Sequence, residues 1–336
     1  MSGTVTITQD ELERIIAAAL VASNTSAHNA RSVAVALAQA EVDGQKGHGL
    51  SRVPSYTAQA KSGKVDGHAV PEVRQTRPGS LVIDARHGFA YPALDEAIAR
   101  LPELARTCGI AAAGITRSHH FGVAGRTVER LAEEGVVALV FGNTPHAMAP
   151  WGGRRPVFGT NPIAFAAPQR GEPPVVVDLA LSQVARGKIM VAAQKGETIP
   201  AGWALDANGE PTTDAKAALK GTLMPLGGAK GAALAFMVEV LAVALTGANF
   251  AFEATSFFDD KGSPPGVGQF LLAIDPAAFA GSEAFLDRFA VLASAIEQDL
   301  GARLPGSRRL ALRKAAARDG VAVDSKLLDE VRALAS

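Results

Sequence analysis

His48 and Arg52 stand four residues apart in the run Gly47-His48-Gly49-Leu50-Ser51-Arg52. Arginine can clamp a carboxylate through two parallel N–H bonds. Histidine exchanges a proton near neutral pH. If the segment is helical, both side chains share one face. Together they suit a small acid that reacts next to its own carboxylate. The bland alternative is a surface histidine beside an arginine in an ion pair. The glycines flanking His48 tilt the balance toward chemistry, because they let a ligand or backbone come close.

Four further constellations bear on chemistry. Ser118-His119-His120-Phe121-Gly122 follows a predicted strand, and strand ends of α/β sheets are where ligands sit. Paired histidines there could do acid–base work, ligate metal, or hold a phosphate at a helix N-terminus. A metal would want more ligands close by, and the chain has only seven histidines. No metal site is expected. Gly159-Thr160-Asn161-Pro162 reads as a polar turn entering a strand. Gly227-Gly228-Ala229-Lys230-Gly231 opens an apolar helix, where backbone N–H groups and one lysine could hold phosphates. It is not a P-loop, since GxxxxGK[ST] is not matched. Arg303-Leu304-Pro305-Gly306-Ser307-Arg308-Arg309 gathers three arginines around a turn and could meet a 2′-phosphate. GxGxxG, GxSxG and HExxH are all absent from the chain. Cys108, followed by Gly109 and an apolar run, reads as a core residue rather than a nucleophile.

The composition narrows the class. Lys plus Arg and Asp plus Glu are both 33 in 336 residues, so the formal net charge is zero. A nucleic-acid binder would need a basic face, so none is expected as a partner. A single cysteine cannot form an internal disulfide, which makes a reducing compartment the default. The N-terminal residues show no basic segment followed by an apolar core. The most apolar stretch, Ala232 to Leu245, is broken by Glu239 and falls short of the ~20 residues of a membrane span. A cytoplasmic chain with no membrane partner is expected.

Local patterns predict the elements that must carry these residues. Thr8-Gln9-Asp10-Glu11 fits a capping box ahead of Leu12, Ile15, Ile16 and Leu20 at helical spacing. A second helix runs from Ala27 to Val42 and stops near Asp43-Gly44. Gly47 to Lys64 reads as mostly helical, with Pro54 tolerable only near a helix start. Strands are predicted at 80–83, 110–116, 136–142, 175–179 and 269–274, and helices at 94–106 and 123–134. Residues 283–336 read as a charged helical tail. The class is therefore α/β, or α+β-like. Residues 1–75 and 283–336 are expected to form a helical layer around a central sheet domain at 76–282.

In combination these motifs resemble the type-2 malate/L-lactate dehydrogenase family. Asp43-Gly44, His48 to Tyr56 and Ser118 to Gly122 carry the likeness. So do Ala149 to Gly153, Phe158 to Phe165, Asp178-Leu179-Ala180, Ala185 to Lys188, Gly196 to Pro200 and Arg303 to Gly306. The resemblance implies a non-Rossmann oxidoreductase that uses NADPH or NADH, usually as a homodimer, on a small carboxylate. It implies His48 as proton donor, Arg52 as carboxylate clamp, His120 beside the nicotinamide and Thr160 on the substrate. It implies a cofactor lining of His120, Phe121, Gly122, Val123 and Ala124. Asp178, Leu179, Ala180, Arg186, Gly187, Ala229 and Lys230 would extend that lining, and Arg303 to Arg309 would complete it. Members act on 2-oxo or 2-hydroxy acids, ureidoglycolate, or cyclic imines. Thr246 to Glu253 and Arg303 to Arg309 look most similar to the branch that reduces Δ1-piperideine-2-carboxylate and Δ1-pyrroline-2-carboxylate. Reduction of such an imine is the expected reaction, with a malate-, lactate- or sulfolactate-type dehydrogenase as the alternative. Two residues depart from that branch. Gly47 stands where a serine usually precedes the histidine, and Lys188 replaces the aspartate of a Ser-His-Asp relay. His48 then needs another orienting partner, a backbone group or Asp43.

Overall fold

The computed structural model describes residues 3–335. Met1, Ser2 and Ser336, at the ends of the sequence patterns above, lie outside them.

Two helices open the chain, and both start where side chains cap them. Thr8 accepts from the Glu11 N–H ahead of helix Gln9–Val21, and Ser26 accepts from the Asn29 N–H ahead of helix Ala27–Val42. Gly44, at φ +72°, ends the second helix in the left-handed region that glycine enters without strain. Leu12, Ile16, Leu20, Val33 and Leu37 are fully buried between the two helices. Val321, Val323, Leu328 and Val331, from strand Val321–Asp324 and helix Ser325–Leu334, join the same cluster. That strand pairs with Thr4–Ile7, so the two ends of the chain are stitched together.

Helix Val53–Ser62 begins later than the sequence pattern suggests. Residues 46–52 form two short 3₁₀ turns, Lys46–His48 and Leu50–Arg52, broken at Gly49. His48 and Arg52 therefore share no helical face, and the expectation of a continuous helix is corrected. Pro54 sits in the first turn of the helix that follows, where its missing N–H costs nothing.

The central layer is a mixed sheet of seven strands. In spatial order these are Glu72–Arg77, Ser80–Asp84, Ile110–Ser118, Val267–Ile274, Val137–Gly142, Ile163–Ala167 and Val175–Leu179. Only Ser80–Asp84 and Ile110–Ser118 run parallel, joined through helix Ala90–Cys108. The sheet face is built largely from small residues. Ala111, Ala113, Ala138, Ala164, Ala166 and Ala273 are essentially inaccessible beneath Leu94, Leu101, Val128 and Leu131. Small residues on the strands let helices Ala90–Cys108 and Ala124–Glu133 lie close, which is how the interior reaches native density.

Register explains why distant motifs meet. Val267 pairs with Ser118, Gln269 with Gly142, Phe141 with Ile163, and Ile163 with Leu179. The end of Ile110–Ser118, the end of Val137–Gly142, the starts of Val267–Ile274 and Ile163–Ala167, and the end of Val175–Leu179 thus lie along one edge. His119 follows its strand directly, Thr144 and Thr160 lie within three residues of theirs, and Asp178 is the next-to-last residue of Val175–Leu179.

The structure corrects one residue assignment. Cys108 is exposed at the end of its helix and is not part of the core. No helix among the described residues is long and apolar enough to cross a membrane.

Candidate active site

The broken turn brings His48 against the sheet edge. Its imidazole stacks on that of His120, with ring centroids 5.2 Å apart and 11° between the planes. Tyr56, one turn into the helix after Arg52 and fully buried, places its hydroxyl 2.6 Å from His120 Nδ1 and 3.2 Å from the Tyr91 hydroxyl. Burial pushes the Tyr56 phenol up to about 12, and Tyr91 is pushed up too, so both keep their protons. In either tautomer His120 Nδ1 is committed to Tyr56, and Nε2 is the nitrogen left for a ligand.

Both stacked histidines are held neutral. Burial, then the charge of Arg52, lowers His48 to about 4. Burial and the same arginine bring His120 well below its ordinary value. His48 Nδ1 has no hydrogen-bond partner among the described residues. The stack on the His120 ring is the contact that orients it. Asp43, the carboxylate considered from sequence, is taken by the Arg313 guanidinium at 2.6 and 2.8 Å.

Of the adjacent pair, His119 is enclosed by aromatic rings. Tyr56, Phe89 and Phe257 surround its ring at 5.5, 6.0 and 5.2 Å, and neither of its nitrogens is partnered. Burial lowers it to about 3. It wedges the aromatic cluster.

Arg52 is half-buried and fixed on two sides. Its Nε donates to the Gly47 carbonyl at 2.7 Å, and its guanidinium carbon lies 4.9 Å from the centre of the Phe258 ring. The terminal Nη edge remains for a carboxylate. A serine at position 47 would present the same carbonyl, so Gly47 leaves this contact intact.

Thr160 sits on a loop built around buried polar groups. Its N–H donates to Thr144 Oγ1 at 2.9 Å, and the two hydroxyls lie 3.3 Å apart. Asn161, at φ +40°, donates to Glu239 Oε1 at 2.8 Å and to the Ala235 carbonyl at 3.1 Å. The Glu239 that interrupts the apolar helix in sequence is thus a buried anchor for the threonine loop.

The segments with a cofactor-like pattern meet beyond this site. Asp178 accepts from the Gly125 N–H at 2.7 Å, joining the end of one strand to the first turn of helix Ala124–Glu133. Leu181 donates to the Thr160 carbonyl, and Leu226 to that of Leu181, which brings the glycine-rich turn alongside. A Cβ at Gly306 would come within 3.2 Å of the Val176 carbonyl, so the arginine turn lies over the same strand. Asp178, Leu179, Ala180, Gly187, Ala229, Lys230, Arg303 and Arg308 are exposed. Gly227 and Gly228 both have positive φ. Exposed backbone at a helix start, with Lys230 in its first turn, fits a phosphate-rich dinucleotide, and Arg303 and Arg308 are exposed on the turn that lies over Val176. Phe121 is buried, and Arg186 donates to the Leu219 carbonyl at 3.0 Å. Arg309 is spent on Glu129 at 2.8 Å, which leaves Arg303 and Arg308 as the arginines of that turn open to an anion.

Tyr56, Tyr91, Phe257 and Phe258 were given no role from sequence. The Arg52–Tyr56 spacing of four in a helix start was the one available signal. Tyr91 and the two phenylalanines arrive from other elements, and only the fold brings them in.

Residues 7–332 match the model of the malate/L-lactate dehydrogenase family. The chain belongs to that family. Like its relatives, this malate/L-lactate dehydrogenase family member is an NAD(P)-dependent oxidoreductase. It is 51% identical to a (2R)-3-sulfolactate dehydrogenase (NADP(+)) of Chromohalobacter salexigens, over 97% of this chain and 96% of the relative. It is 42% identical to a Δ1-pyrroline-2-carboxylate/Δ1-piperideine-2-carboxylate reductase of Pseudomonas putida, over 96% and 95%. Among solved structures, Δ1-piperideine-2-carboxylate reductase of Pseudomonas syringae superposes with a TM-score of 0.93 at 39% identity, covering 98% and 99% of the two chains.

Proposed function

We propose that this enzyme interconverts a 2-hydroxy acid and its 2-oxo acid, and that 3-sulfolactate and sulfopyruvate are its first candidate pair. The observation that carries this reading is the 51% identity, across nearly the whole chain, to a sulfolactate dehydrogenase, against 42% for the reductase of Pseudomonas putida. It shifts the weight from the imine expected from sequence to the alternative named beside it.

When bound, the nicotinamide supplies or accepts the hydride at C2. The Arg52 Nη edge holds the carboxylate, and Thr160 contacts the substrate. His48, neutral across the physiological range, accepts the hydroxyl proton during oxidation and returns it during reduction. Substrate binding offsets the Arg52 charge, one of the two causes that keep His48 low, so its pKa rises in the complex.

The cyclic-imine reading stays as the second. The close superposition on a piperideine-2-carboxylate reductase favours it. An iminium that arrives protonated also needs no acid from a neutral His48.

The test is a substrate panel with both cofactors, read by nucleotide absorbance. Sulfopyruvate is expected to give the highest kcat/KM. Turnover of Δ1-pyrroline-2-carboxylate with none on sulfopyruvate or oxaloacetate would reverse the order of the two readings. In the oxidation direction, kcat/KM should show no acid limb between pH 5 and 7, because His48 ionises near 4.

We also propose two coarser features. One is the division into a helical layer, 1–75 with 283–336, and a central domain, 76–282; the shared cluster of the two chain ends supports it, while strand Glu72–Arg77 carries residues 72–75 into the central sheet. The other is a homodimer. Leu234 and Phe236 on helix Ala229–Glu239, Val240 on the π-helical turn Val240–Ala244 that continues it, and Leu245 just after are 42, 61, 43 and 63% exposed, a large apolar face for a lone chain. Phe236→Asp should sediment as a monomer, and an unchanged mass would remove this face from the interface.

A further inference from the structure

One buried cation has no part in the scheme above. Lys64 is 2% exposed, and its ammonium donates to the Ser256 carbonyl at 2.7 Å, the Asp259 carbonyl at 3.0 Å and Asp259 Oδ1 at 3.2 Å. Gln59, fully buried in the helix just before it, donates to the Phe257 and Asp259 carbonyls at 2.9 and 3.0 Å. Burying an ammonium is costly unless its donors are met. Here a single segment, almost two hundred residues later in the chain, meets them.

That segment carries two aromatic rings to the site. Phe257 lies 5.2 Å from both His119 and His120. Phe258 covers one face of Arg52, yet its side chain is 52% exposed. An aromatic ring left that open contributes little to the core. Its defined contact is the guanidinium. With Gly47 on Nε and Phe258 on the face, Arg52 is held on two sides before any ligand arrives.

We propose that Ser256–Asp259 is the specificity wall of this site, in which Phe258 sets the plane of the Arg52 guanidinium and touches the substrate carbons beside the carboxylate, and Lys64 is the positioning residue that holds the wall in place. This rests on Arg52 being the carboxylate clamp.

The test is steady-state kinetics of the full-length enzyme carrying Phe258→Leu, Phe258→Tyr, Lys64→Met or Arg52→Lys. The substrates are pyruvate, sulfopyruvate and Δ1-pyrroline-2-carboxylate. Phe258→Leu should raise KM for the acids roughly 2- to 5-fold, the worth of a cation–π contact on a half-exposed ring. It should leave kcat and the cofactor KM within about twofold, and Phe258→Tyr should restore most of the loss. Lys64→Met should raise the same KM values without moving the cofactor KM. If Lys64→Met does not fold, the exposed Phe258 carries the test alone. Unchanged KM in Phe258→Leu, with a raised KM in Arg52→Lys, overturns the wall and leaves the clamp standing. Unchanged KM in both removes the clamp, and the wall with it.

Discussion

Arg52→Lys is expected to lower kcat/KM for every 2-substituted carboxylate by about 100-fold, nearly all of it through KM. A guanidinium offers two parallel donors to a carboxylate, and an ammonium is a point charge. Losing one charge-assisted hydrogen bond costs roughly 1.5–3 kcal/mol, or about 10- to 150-fold. Lysine also loses the Nε contact with the Gly47 carbonyl and the stack on Phe258. The positive charge remains, so His48 stays low and the pH profile should not move. Arg52→Met removes the charge as well. Burial alone then lowers His48, and any acid limb should shift upward in pH. Steady-state kinetics at saturating cofactor separate the two variants. An unchanged KM in Arg52→Lys would place the carboxylate elsewhere.

The fold was legible where local chemistry decides structure. Thr8 and Ser26 cap their helices through hydroxyls, and Gly44 stops the second helix with a positive φ. The strand Val175–Leu179 has the bounds read from its β-branched run. The site was legible as separate motifs. Their meeting depends on register, and on the insertion of Val267–Ile274 between Ile110–Ser118 and Val137–Gly142, which no local pattern carries. Helical spacing and two successive 3₁₀ turns look alike over seven residues, so the break at 46–52 is not legible in the sequence. The exposure of Cys108 is not legible either, because an apolar run after a cysteine says nothing about which side of the helix end it faces.

Three arginines after residue 302 read as one basic patch, and the fold divides them. Arg303 and Arg308 stay exposed, while the Arg309 side chain is only 10% accessible beside a fully buried Glu129. A sequence shows that opposite charges exist but not which of them share a low-dielectric site. That distinction decides whether an arginine binds a ligand or the protein itself.

Glu129→Ala is expected to destabilise the protein by about 3–5 kcal/mol, the usual cost of leaving buried charge unpaired. Glu129 receives Arg309 at 2.8 Å, Arg313 at 2.7 and 2.8 Å, and Arg126 at 3.1 Å. Burial alone would raise its pKa, but the Arg313 hydrogen bonds and the charges of Arg309, Arg313 and Arg126 outweigh it and hold the carboxyl low. Without the carboxylate, three guanidiniums would face one another with Asp43 as the remaining anion beside Arg313. The stabilisation from a depressed carboxyl is present above its ordinary value near 4.5 and is lost as pH falls through the lower native value. The variant should therefore lose most at neutral pH, and the gap to the native chain should narrow in acid. Urea unfolding at two pH values measures this, with the midpoint shifting and the slope unchanged. Glu129→Gln keeps an acceptor but not the charge and should fall between the two. A loss below about 1 kcal/mol, the worth of an exposed pair, would mean that water reaches this cluster. Because Arg313 joins Glu129 on helix Ala124–Glu133 to Asp43, five residues before His48, the same variant should also weaken substrate binding under conditions where the chain is still fully folded.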